Sequence, residues 1–153
     1  MLTALLTLAL FTGAPDPCDA LEPGRTITAR LVTARHTPEG GDTLTVTVCV
    51  VPQRGGAPLR IGSYHGELHF DSTASVVRVE KSEGGVRVEN ATLAGQVNFA
   101  GAAPAGFPGR SLVSVVLRLK SAAARPRLLL QIKELNTTDG RQLAQDVVVE
   151  QAP

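Results

Sequence analysis

Tyr64-His65-Gly66-Glu67-Leu68-His69-Phe70-Asp71, followed three residues later by Ser75-Val76-Val77-Arg78-Val79-Glu80, is the stretch that decides the fold. In its first half, Tyr64, Leu68 and Phe70 recur on even positions, with His65, Glu67 and His69 between them. That period of two is what a strand with one buried face requires. Asp71 then closes one strand before the next begins. Outward from this pair, the same pattern fills the chain from Thr26 to Glu150 in short runs that end at Gly, Pro, Asp or Asn. The expected strands are Thr26 to Thr33, Thr43 to Val51, Ser63 to Phe70, Ser75 to Lys81 and Val86 to Ala91, then Gln96 to Ala100, Leu112 to Lys120, Arg127 to Glu134 and Val147 to Gln151.

Turn chemistry separates them. Pro38-Glu39-Gly40-Gly41-Asp42, Gly55-Gly56-Ala57-Pro58, Glu83-Gly84-Gly85 and Thr138-Asp139-Gly140 supply the residues that tight reversals need. Gly101 to Gly109, with its Pro and Gly content, reads as a surface loop, and His36 falls in a loop as well. Leu143-Ala144-Gln145-Asp146 could form one short turn.

Alternation assigns faces. Leu44, Val46, Val48 and Val50 point inward on the second strand, leaving Thr43, Thr45, Thr47 and Cys49 outside. On the seventh, Val113, Val115, Leu117 and Leu119 point inward, with Ser114, Val116, Arg118 and Lys120 outside. Two sheets, each apolar on one face, bury those faces against each other. The expected fold is all-β, a nine-stranded antiparallel β-sandwich with jelly-roll topology.

The chain has 153 residues, enough for one domain with a substantial core. Its 15 basic and 14 acidic residues leave a net charge of +1 with no basic block, which argues against nucleic acid as a partner. Leu2 to Phe11 is apolar but shorter than the roughly 18 to 20 residues of a membrane span. It fits the core of an export signal, although no Lys or Arg precedes Arg25. The expected division is residues 1–20 as signal and tail and 21–153 as the domain, secreted or periplasmic, and a monomer. In an oxidising compartment, Cys18 and Cys49 are candidates for a disulfide; the alternative is an unpaired Cys49 in its strand.

Constellations that could carry catalysis are weak. His65, Glu67 and His69 share a face, but neighbours about 7 Å apart along a strand allow only two to meet one metal. The Asn136, Asp139 and Gln142 turn offers a single carboxylate, too few for calcium. Nothing sets two of Glu80, Glu83 and Glu89 across a cleft for sugar hydrolysis, and no nucleophile elbow occurs. The expectation is no enzyme, no cofactor and no metal. Asn90-Ala91-Thr92 and Asn136-Thr137-Thr138 match glycosylation sequons, a pattern common by chance.

Three stretches resemble the cohesin family of bacterial extracellular modules, related in fold to carbohydrate-binding modules. Phe70-Asp71 with Ser75-Val76-Val77-Arg78-Val79 is similar to a strand ending in Tyr-Asp and the strand that follows it. The run from Gly109 to Ser121 looks like the family's long strand after a Gly-rich loop. Leu128 to Leu135, running into Thr138-Asp139-Gly140, looks like its closing hairpin. The resemblance implies a non-catalytic module that binds a protein partner, of dockerin type or on a cell surface, through the outer face of one sheet. By strand order that face would offer His65, Glu67, His69, Arg87, Glu89, Gln96, Asn98, Ser114, Val116 and Arg118. Polysaccharide or surface glycan is the alternative ligand, though the chain has no Trp and one Tyr on which to stack a sugar ring. A purely structural envelope sandwich is the third reading.

Overall fold

A computed structural model describes residues 15–37, 39, 41–80, 84–144 and 148–150, the last three in backbone only. The leader over Met1 to Gly13, Pro38, Gly40, Lys81, Glu83, Gln145 to Val147 and Gln151 lie outside the described residues. Among the described residues, nine strands follow a short 3-10 turn at Pro17–Ala20: β1 (Thr28–His36), β2 (Thr43–Val51), β3 (Ile61–Phe70), β4 (Ala74–Glu80), β5 (Val86–Asn90), β6 (Gln96–Ala102), β7 (Ser111–Leu119), β8 (Leu128–Thr137) and β9 (Val148–Glu150). They form a five-stranded sheet, β4-β7-β2-β1-β9, and a four-stranded sheet, β5-β6-β3-β8. Only the β1–β2 and β5–β6 connections stay within a sheet; the others cross between the two layers. The ladders are antiparallel except at the end of the chain, where β9 runs parallel to β1.

The inward residues of β3 meet those of β2, β6, β7 and β8 in one core that includes Val46, Val48, Leu68, Val97, Leu117 and Leu135, all essentially inaccessible to solvent. Removing such a side chain from water contributes about 1.5 to 3 kcal/mol each. Gly66 of β3 lies on this inner face because nothing larger fits: a Cβ there would come within 2.6 Å of the Phe99 ring and 2.8 Å of the Gln131 carbonyl. The β4–β5 reversal uses two successive glycines in the left-handed region, Gly84 (φ 82°) and Gly85 (φ 66°), where a side chain would be strained.

Two segments differ from the sequence reading. His36 is the last residue of β1, paired with Thr43, because the β1–β2 hairpin continues to its turn. The stretch from Gly101 to Gly109 is not purely a surface loop. β6 runs on to Ala102, and Ala103 and Phe107 enter the core. The Phe107 N–H donates to the Ile61 carbonyl at 2.9 Å, which ties the loop to the start of β3.

Pro17–Ala20, assigned from sequence to the tail, packs on the outer side of β2, where Cys18 is bonded to Cys49 across 31 residues. Cys49 does point away from the core, yet it is fully buried because this strap covers it. The Asp16 side chain accepts from the Cys18 N–H at 2.9 Å, Arg110 donates to the Leu21 carbonyl at 2.9 Å, and the Gly24 N–H donates to the Pro52 carbonyl at 3.1 Å.

At the β3–β4 turn, Asp71 accepts from the Thr73 hydroxyl (2.5 Å) and N–H (2.9 Å) and from the Arg127 N–H (2.8 Å), joining the turn to the chain just before β8. The Thr73 hydroxyl, then the backbone donors, hold its carboxyl down at about 2.

Replacing both cysteines, Cys18→Ala with Cys49→Ala, is expected to cost about 3 to 4 kcal/mol in the chain-entropy model. At this chain length that is roughly 10 °C of thermal midpoint, read by circular dichroism. A second measurement follows from Asp71. Its folded pKa lies below the unfolded value near 4, so its stabilisation is complete above that value and is lost as pH falls towards about 2. Asp71→Asn should therefore melt below the wild type at pH 7, and the gap should close as pH is lowered to 2.

Candidate recognition face

Because β3 is flanked by β6 and β8, its outward residues lie at the centre of the four-stranded sheet's outer face. Register sets the rows. Val88, Ala100, His65 and Glu134 lie across the four strands, then Asn90, Asn98, Glu67 and Gln131, then Gln96, His69 and Leu129 across β6, β3 and β8. A β-bulge between His65 and Gly66 against β8 adds Lys133 to this surface.

Glu67 is the fixed charge at the centre. Lys133 Nζ donates to one of its carboxylate oxygens, and His69 Nε2 lies 3.1 Å from the other. The Lys133 hydrogen bond, then that of His69, holds the Glu67 carboxyl below the ordinary glutamate range. Gln96 donates to Asn98 at 2.7 Å along β6, and Asn136 donates to Glu134 at 2.6 Å along β8. The result is a polar surface whose side chains are already oriented by their neighbours, with exposed Val86, Val88 and Leu129 at its margins.

Five residues expected on this face are not on it. Arg87 and Glu89 register with Gly101 and Phe99 and so turn towards the interior, while Val86 and Val88 take the outer side at 71% and 64% exposure. β5 thus reverses the usual apolar-in rule. The reason is a specific packing: Arg87 lies 4.3 Å over the Phe107 ring and donates from Nη1 to the Tyr64 hydroxyl and the Leu112 carbonyl, both at 2.6 Å. Ser114, Val116 and Arg118 belong to β7, in the other sheet, and point out of the opposite side of the sandwich. There Ser114 shares a 2.8 Å hydrogen bond with Thr47, and Val116 is only 2% exposed, so neither offers a free side chain.

The face therefore gathers His65, Glu67, His69, Gln96 and Asn98 as expected, and adds Val88, Asn90, Gln131, Lys133 and Glu134. The β8 contribution follows from the Leu128-Leu129-Leu130-Gln131 alternation once β8 is known to pair with β3, a pairing no local pattern announces. Among the described residues no three His, Cys, Asp or Glu side chains converge as a metal site would require, and no helix is long and apolar enough to cross a membrane.

Arg87→Ala should act on stability. Losing the ring contact and the bonds to Tyr64 and Leu112 should cost about 1 to 3 kcal/mol in chemical denaturation, whereas exposed Gln131→Ala should stay within about 0.5 kcal/mol.

No protein-family model matches the chain, and no curated protein matches it. Solved structures do. The chain is similar to a non-cellulosomal cohesin from the hyperthermophilic archaeon Archaeoglobus fulgidus, at 22% identity over 81% of this chain and 86% of that one, with a TM-score of 0.62. It is also similar to a type II cohesin-X-dockerin complex from Acetivibrio cellulolyticus (12% identity, 82% and 95% covered, TM-score 0.57). A third is a cohesin module from the family 33 glycoside hydrolase of Clostridium perfringens (11% identity, 78% and 89% covered, TM-score 0.56). With nine strands in two sheets among the described residues, and with this likeness to cohesin modules, the chain has the cohesin-like β-sandwich fold.

Proposed function

We propose that the chain is a non-catalytic, exported recognition module that binds a protein partner through the outer face of the four-stranded sheet. The observation that carries this reading is the difference between the two outer faces. One is partly covered by the disulfide-bonded strap over β2, while the other is open and centres on the oriented Glu67 carboxylate. A face whose polar groups are already held in place loses less side-chain freedom when a partner docks.

The structural relatives support a protein partner, since one of them is a cohesin in complex with an X-dockerin. The aromatic side chains support it too. Tyr64, Phe70, Phe99 and Phe107, the Tyr and Phe residues among those described, are all buried, so this face has no Tyr, Phe or Trp ring on which a sugar could stack. Export is supported by the buried disulfide, a bond that persists in oxidising compartments.

Titration calorimetry against a panel of purified dockerin modules tests the reading, with insoluble polysaccharides as the competing ligand class. Glu67→Lys is expected to weaken the dockerin that binds by at least about tenfold, equivalent to about 1.4 kcal/mol. Arg118→Glu, on the opposite face, should leave affinity unchanged, and neither variant should move the thermal midpoint appreciably. Equal loss from Arg118→Glu, or retention on polysaccharide with no dockerin bound, would overturn the proposal.

A further inference from the structure

The sheet edges are not equally protected. β4 is kinked by a bulge between Val76 and Arg78 and carries an exposed Arg78–Glu80 ion pair at 2.7 Å. β8 has two register irregularities, and β9 is three residues long. Bulges, charges and shortness are the devices that keep edge strands from pairing with other chains. β5 is short and points Arg87 and Glu89 inward, but it has no bulge: its register with β6 is unbroken from Val86 to Asn90, and Val86 and Val88 stand exposed on its outer side.

We propose that β5 pairs with β5 of a second copy of this chain, antiparallel, about a two-fold axis at Val88. The sequence Val86-Arg87-Val88-Glu89-Asn90 is complementary to itself in that register. Val88 faces Val88 of the other copy, Arg87 faces its Glu89, and Val86 faces its Asn90. Sliding by two residues either way, which keeps every side chain on its present face, sets Arg87 against Arg87 or Glu89 against Glu89. Like charges directly opposite each other are unfavourable, so charge selects the centred register. A two-fold contact of this kind closes on itself and stops at two copies.

The pairing joins two four-stranded sheets into one of eight strands and puts both outer faces on the same side, with the four valines at the seam. A five-residue edge buries well under the roughly 800 Å² per partner of a stable interface, so the dimer is weak and reversible. The monomer expected from sequence is then the low-concentration state. This inference stands on the edge geometry and on the charge pattern of β5, and is independent of the recognition reading.

Sedimentation velocity of the full chain over about 10 µM to 1 mM, a range suited to interfaces of this size, is the test. The wild-type weight-average sedimentation coefficient should rise with concentration towards that of a dimer. Val88→Lys and Val88→Glu, each setting like charges face to face, should stay monomeric across the range, and an equimolar mixture of the two should recover the rise. Unchanged circular dichroism melts would show that both variants fold, as expected for a side chain that is 64% exposed. A wild type that stays monomeric throughout, variants that associate as the wild type does, or a mixture that fails to recover would each overturn the proposal.

Discussion

The hydrogen bond from the Tyr64 hydroxyl to the Leu112 carbonyl, 2.7 Å long and buried, joins the two sheets through the middle of the sandwich. Two greasy faces pressed together can slide, because burial is proportional to area and has no direction. A buried donor and acceptor cannot slide without one being left unsatisfied, at a cost of about 1 to 3 kcal/mol. Much nearby serves this bond. Gly101 leaves room for the Tyr64 ring, where a Cβ would approach to 2.6 Å. Phe107 brings its ring to 5.1 Å, and Arg87 reaches in from β5 to the same hydroxyl and carbonyl. Burial pushes the phenol pKa up despite the neighbouring guanidinium, which keeps Tyr64 a neutral donor.

With the sheets locked in one relation, the outer surfaces acquire different characters. The strap fixed by Cys18 and Cys49 covers part of the five-stranded side, where Thr47, Cys49 and Val116 are buried although they point away from the core. On the four-stranded side the β3 row is partly accessible, His65 exposed and Glu67 and His69 half-buried. This asymmetry arises from a covalent link near the start of the folded body rather than from any feature of the open face.

On the open side, charge is organised rather than abundant. Glu67 sits between Lys133 and His69, residues from two strands that the β3–β8 pairing brings together. Surface ion pairs of this sort contribute little to stability. Their effect is to hold the Glu67 carboxylate in a defined position. The same sheet ends at β5, where the inward turn of Arg87 and Glu89 leaves valines outside, so the demands of the inter-sheet lock also shape the sheet's edge.

Periodicity of two in Tyr64 to Phe70 and its neighbours was enough to place nine strands within a few residues and to assign the inner faces of β2, β3 and β7, because burial of alternate side chains is a local property of the chain. The misreadings were of another kind. Ser114, Val116 and Arg118 do point outward, but from the other side of the sandwich to His65, since alternation says in or out and not which sheet. Strand order alone sets Arg87 and Glu89 on the outer face, but it carries no information about a cation stacked on Phe107 and bonded to Tyr64, which turns Arg87 inward. The sequence by itself determined the strands, the turns and the alternating core. Which strands are neighbours, which face stays open and what stands on it were decided by tertiary structure, because those depend on pairings between residues far apart in the chain that leave no local periodic trace.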